Sequence, residues 1–326
     1  MKRWMHAVWA AVLGASLAAN AWGAGWQPDK NVELIVGTAP GGALDVTARQ
    51  LAKIFETDHL VPKPVTVVNR PGAGSSLAWT YLNQQAGDGN FLSISATPLL
   101  ANSIVGTNPI TYTSVTPLAI LFSEYIACSV RADSPFHNGK ELIDRLRKDP
   151  GSISISIASS RGATNHIAAG TVFQAAGIDL KKLKFVVFRS SAESLTGLIG
   201  GHVDVDFSTV SNVLGHLQAG RIRVLGVTAP HRMTGPMAKV PTWTEQGYPV
   251  DFSGWRGVIG PKDLSAAQVA YWDSVFARLS KSKDWHAVLA KRLWANTYMD
   301  SAQTRKFLKA QNEDMKKVLA GLGLAK

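Results

Sequence analysis

The sequence predicts an α/β protein built as two halves. Two observations carry this. Short apolar strands alternate with glycine- or serine-rich loops and helical patterns, the grammar of parallel sheets with crossover helices. That grammar runs twice, before and after a long apolar stretch at Val115–Val130. The chain of 326 residues suits two domains. With 46% apolar and only 17% charged residues it is expected to pack well-formed cores.

The first unit sets the pattern. Val32 to Val36 reads as a buried strand, Gly41-Gly42 as a turn, and a helix begins near Asp45 with Val46, Leu51, Ile54 and Phe55 inward. A helix start fed by a glycine-rich turn leaves unpaired N–H groups and suits an anion. Pro64–Asn69 is the second strand, and its loop 70–76 opens a helix with Leu77, Trp79, Tyr81 and Leu82. Phe91–Ala96 is the third, ending at Thr97-Pro98. Val115–Val130 is too long for one ordinary strand and is expected to pass between the halves. It holds a lone acid, Glu124, and the only cysteine, Cys128, expected to be a buried small hydrophobe.

The second half repeats the pattern. Glu141–Lys148 is helical, and Ile153–Ala158 is a strand. The loop 159–164 opens a helix carrying His166. Phe185–Phe188 is a strand, and Arg189 to Ser191 open another helix. Val203–Phe207 alternates as a half-buried strand, with Asp204 and Asp206 on one face, and Ile222–Val227 closes the series. Three helices, near Ser265–Leu279, Asp284–Leu293 and Ser301–Leu319, read as scaffold.

The N-terminus reads as an export signal. Lys2 and Arg3 precede an uncharged apolar run, and A-x-A patterns place residues 1–21 in a signal peptide cleaved at 21–24. No cysteine lies near that point, so no lipoprotein is expected. A periplasmic protein is. The net charge of +11 is scattered, with no zinc-finger spacing or RNA-binding signature, so a field that attracts small anions is expected rather than nucleic acid binding. The P-loop, G-x-G-x-x-G, G-x-S-x-G and H-E-x-x-H patterns are absent. No cofactor, metal or catalysis is expected. A hydrolase using Ser160, His166 and an Asp would need a nucleophile–base pair that the spacing does not supply.

Loops 37–45, 70–76, 159–164 and 189–191 all open helices, two in each half, and their convergence would make an anion trap. The ligand-binding candidates are Thr38, Ala39, Gly41, Gly42, Asp45, Gly74, Ser75, Thr97, Ser160, Arg161, Gly162, Ala163, Thr164, His166, Arg189 and Asp206. Backbone donation is assigned to Gly41, Gly42 and Gly74. Hydroxyl donation is assigned to Thr38, Ser75, Ser160 and Thr164, and carboxylate pairing to Arg161. Asp45 is expected to cap or brace its helix.

These residues resemble the Bug family, the substrate-binding proteins of tripartite tricarboxylate transporters. The first signature is matched by Val36, Pro40, Gly41, Gly42, Asp45, Ala48 and Arg49. The second is matched by Asn69, Pro71, Gly72, Ala73, Gly74, Asp88 and Gly89. Gly162 and His166 match part of a third, and Gly200, Gly201, Val203 and Asp204 another. Pro241-Thr242, Glu245-Gln246-Gly247, Trp255, Gly257 and Pro261 resemble the family's return segment. Gly37 and Thr38 depart from a proline and an aromatic, Ser75-Ser76 from a second glycine, and Ser190 from a glycine. Ala158, Ser160 and Ala163 replace Ser, Gly and Ser, and Arg161 adds a charge.

The resemblance implies a type II periplasmic binding protein fold with crossing hinge strands. Residues 25–123 plus 253–326 would form domain 1 and residues 124–252 domain 2. It also implies a small organic acid ligand, integral-membrane transporter subunits as partners, and a monomer. A receptor serving a membrane sensor kinase is the alternative within the same fold.

Overall fold

The computed structural model describes residues 25–158 and 160–325. The proposed signal peptide and Ser159 lie outside the described residues. Five strands make the first sheet, in the order β2-β1-β3-β9-β4. β1 (Val32–Val36) pairs in parallel with β2 (Val65–Asn69) and β3 (Phe91–Ala96). β9 (Ser253–Gly260) then runs antiparallel between β3 and β4 (Thr116–Arg131). The helices α1 (Ala43–Thr57), α2 (Ser76–Asn83) and α3 (Pro98–Val105) follow β1, β2 and β3.

β4 is one strand serving two sheets. Up to Tyr125 it pairs with β9; from Ile126 it pairs with β7 (Val205–Thr209), and from Ala127 with β8 (Ile222–Val227) on its other side. β5 (Ser154–Ala158) lies parallel to β7 and β6 (Lys184–Phe188), with β6 at the edge. The helices of this half are α4 (Gly139–Lys148), α5 (Thr164–Ala175), α6 (Ser191–Ile199) and α7 (Val210–Gln218). The expected passage of Val115–Val130 between halves is therefore a single sixteen-residue strand, buried on both faces. Cys128 is fully buried, as expected.

The C-terminal helices α8 (Ala266–Leu279), α9 (Lys283–Arg292) and α10 (Ser301–Gly321) return to the first half. Val275, Phe276 and Trp285 join Leu34 and Phe122 in one apolar core. α10 does more. Its Leu308, Met315 and Leu319 share a core with Leu99 and Leu100 of α3 and with Ile167 and Phe173 of α5. It thus straps one half to the other, and each such side chain contributes about 1.5–3 kcal/mol on burial.

At the crossing sits an ion pair that the sequence reading did not find. Glu124 Oε2 lies 3.1 Å from Arg256 Nη2, and both side chains are almost wholly buried. Glu124 Oε1 also accepts from Ser211 Oγ on α7 and from the Trp294 indole, each at 2.6 Å. Trp294 in turn stacks on Phe122 at 3.8 Å. One carboxylate therefore holds β9, the second half and the C-terminal segment together. Removing one member of a buried pair leaves an uncompensated charge, so Glu124→Ala is expected to cost about 3–5 kcal/mol. The double variant Glu124→Ala/Arg256→Met is expected to recover most of that loss in urea unfolding. Equal loss in the single and double variants would contradict the pairing.

Candidate functional site

The carboxyl ends of β1, β2 and β3 face those of β5 and β7 across the crossing strands, and small contacts fix the approach. Gly37 at the end of β1 lies against Ser75, so closely that a Cβ on Gly37 would collide with it. This explains why neither proline nor a bulkier residue stands there. Ser75 is buried with φ 77, the left-handed region that favours glycine, and its Oγ donates to Gly37 O. Asn102 on α3 donates to Gly74 O at 3.0 Å. On the same helix, Val105 and Ala101 lie 3.4 and 4.0 Å from where a Gly162 Cβ would be. Thr164, at the start of α5, packs on Gly254 beside Arg256. α3 thus touches the loops of both halves, and the floor is the ion-paired crossing.

Helix capping separates these helices from the rest. α1, α2, α3, α5 and α7 follow β1, β2, β3, β5 and β7, and none has a side-chain cap. Gly42, Ser75, Thr97, Ala163 and Thr209 are their N-cap residues. By contrast Asn138, Ser190, Ser265, Ser282 and Asp300 each cap their helix by accepting a backbone N–H. In α1, α5 and α7 the first-turn amides therefore stay available to an anion. In α2, by contrast, Ser76 N–H already bonds Ala73 O, and in α3 Pro98 has no N–H and Leu100 N–H bonds Thr97 O. Thr38 Oγ1 and Thr97 Oγ1 are also buried without a partner among the described residues.

The bonding redistributes the roles expected for individual residues. Gly41 N–H donates to Asp45 Oδ2 at 2.8 Å, and Gly42 N–H to Ala39 O at 3.1 Å. Both amides are spoken for, whereas the start of the next turn at Ala43 and Leu44 has no side-chain cap. Asp45 braces the loop, as expected: it also accepts from Arg49 Nε and Asn69 Nδ2, each at 2.9 Å. Burial opposes its ionisation, but the bonds from Arg49, Gly41 and Asn69 outweigh that and hold its pKa below the usual value. His166 likewise serves its own loop, accepting the Gly162 amide at Nδ1 over 2.9 Å. Ser160 is half-buried and Arg161 exposed. Arg189 N–H donates to Glu193 Oε2 while Ser190 Oγ caps Glu193 N–H, so that loop satisfies itself.

Asp206 corrects the expectation of a half-buried strand. β7 is buried throughout, and Asp206 sits inside the sheet in register with Ser129 and Ser156, away from the loop ends. Ser156 Oγ donates to it at 2.6 Å. Asp204 lies just outside the strand and accepts from Ser154 N–H and Oγ. The serines supply the hydroxyls that let an acid occupy this interior. Missed altogether were α7, Thr209 and Ser211; the Ser-Thr pair closing Val205–Thr209 was the available signal.

No helix among the described residues is long and apolar enough to cross a membrane, and no cluster of potential metal ligands occurs among them. Comparison with known proteins decides the family. The profile of the tripartite tricarboxylate transporter family receptor matches residues 47–324. The chain belongs to this family. It is a solute-binding receptor, as the Bug resemblance implied. It is 27% identical over 241 residues to BugT of Bordetella pertussis, covering 72% of each chain. Among solved structures the receptor resembles R. palustris Rpa4515 with adipate (TM-score 0.81, 23% identity, 91% of this chain and 99% of that one). It also resembles MatC from Rhodopseudomonas palustris with bound malate (0.76, 20%, 90% and 99%). These likenesses bear out the two-domain periplasmic binding protein fold.

Two outcomes test the site's local physics. Gly37→Ala forces Ser75 aside and is expected to cost about 1–3 kcal/mol, as overpacking does, with part of that regained in Gly37→Ala/Ser75→Gly. No initial loss in thermal melts, or no recovery in the double variant, would contradict the close approach. Burial raises the pKa of Asp206 against the opposing serine hydroxyls, Ser156 foremost. Its contribution is thus fully present below its unfolded pKa of about 3.9 and lost as pH rises through the folded value. Asp206→Asn is expected to flatten the fall in unfolding free energy from about pH 4 towards neutrality.

Proposed function

We propose that this receptor is exported to the periplasm, where it captures a small organic carboxylate and delivers it to integral-membrane transporter subunits. The observation that carries the reading is the contrast in capping. Helices α1, α5 and α7, opening at strand ends around the cleft, leave their first-turn amides unfilled, whereas the scaffold helices cap themselves. Such amides recognise negative charge without a fixed cation. Charge-assisted hydrogen bonds contribute about 1.5–3 kcal/mol each, so a few suffice for the ~8 kcal/mol of micromolar binding. The hydroxyls of Thr38, Thr97, Ser160 and Thr164 add donors. Ser75 is spent on Gly37 O, and Arg161, which lines the flank of the second half, is not one of the cleft groups. Adipate and malate in the two R. palustris neighbours support the ligand class.

No nucleophile, metal or cofactor takes part in this reading. It requires only capture and release. A sensor kinase partner would use the same binding step, and gene deletion separates the two: lost uptake supports transport, and lost signalling with intact uptake supports the kinase.

The N-cap of α5 offers a direct test. Ala163 has the extended backbone of a capping residue but no side chain to cap with. Ala163→Asp is expected to fill the amides internally, raise stability by about 1 kcal/mol and repel the anion. Calorimetry against a malate and adipate panel should show at least about tenfold weaker binding, with Ala163→Ser intermediate. Undiminished affinity in Ala163→Asp would overturn the role of this helix end.

A further inference from the structure

A cavity of about 280 Å³ opens on the flank of the second half, apart from the cleft. Its walls are the start of α5, the segment 180–185 and the turn after α10. That segment leads into the amino end of β6, whereas the cleft loops follow the carboxyl ends of their strands. The cavity therefore lies behind the 160–164 loop.

Its chemistry divides sharply. Arg161 and Lys181 supply two positive charges at the lip, and both are exposed. The Lys181 stem crosses the C-terminal turn, its Cε 3.4 Å from where a Gly323 Cβ would be. His166 lines the wall and is only 2% exposed. Because its Nδ1 accepts the Gly162 amide, the ring proton of the neutral form belongs on Nε2, a donor. Burial and the Arg161 charge press its pKa down to about 4, so it is neutral in ordinary buffers. The remaining wall is apolar, with Leu183, Phe185 and Leu322 foremost. Phe185 meets the His166 ring edge-on at 4.4 Å.

We propose that this cavity is a second binding site, which takes a monocarboxylate with a short apolar chain. The headgroup lies between Arg161 and Lys181 and accepts from His166, and the chain lies against Leu183, Phe185 and Leu322. A dicarboxylate would have to bury its second charge against leucine, which is strongly unfavourable. This site therefore selects against doubly charged acids. It also reaches the cleft, because His166 holds Gly162 in the cleft loop. The inference does not depend on the identity of the cleft ligand.

The test is a titration of the isotope-labelled full-length mature protein with sodium hexanoate, followed by NMR. Saturable shifts are expected at the His166 ring and the Leu322 methyls, with none from 1-hexanol or hexylammonium. Lys181→Glu changes an exposed side chain and is expected to weaken hexanoate by about tenfold with an unchanged melting temperature. Shifts confined to cleft residues such as Ala43 and Thr209 would overturn the site. So would equal affinity in Lys181→Glu, or no saturable shift up to about 10 mM hexanoate.

Discussion

The carboxylate of Glu124 is the point on which the two halves depend. It sits where β4 leaves one sheet for the other, and it gathers Arg256, Ser211 and Trp294 from three separate parts of the chain. A charge can stay in this interior only because all three donors arrive together. Their arrival ties β4 to β9, to α7 of the second half and to the C-terminal segment at one point. Thr164, packed on Gly254 beside this knot, is placed by it directly.

Within that frame the anion-facing surface is built by omission. Asp45 and His166 are strong polar groups, yet both are spent on their own loops, at Gly41 and Gly162. They hold the backbone so that its unfilled amides face outward. A rigid shell of side chains thus supports the proposed binding surface, made chiefly of main chain and hydroxyls. On the proposed function such a surface takes a carboxylate by geometry, and modest changes in the surrounding side chains would change which acid fits.

Much of the fold was legible because its signals are local. The apolar runs at Val32–Val36 and Phe91–Ala96 became strands with those bounds, and the long run from Val115 became the crossing strand. The site was legible only in outline. Glycines at 41 and 42 announced a turn, but whether their amides were free depended on where Asp45 and Ala39 O pointed. Asp206 looked half-exposed because alternation assumes one wet face, and serines on β4 and β5 removed that face. Arg256 gave no local sign of its partner. Glu124 lies far from it in sequence, and only the antiparallel pairing of β4 with β9 joins them.

The crossing strand also bears on the order in which the molecule is completed. The first sheet needs β9 between β3 and β4, and the strap α10 comes later still. The second sheet uses only strands from β4 to β8. A chain growing from its N-terminus therefore has all the strands of its second unit before it can close its first. Until β9 arrives, the edges of β3 and β4 stay unpaired and open to other strands. The half that begins the sequence is the last to be finished.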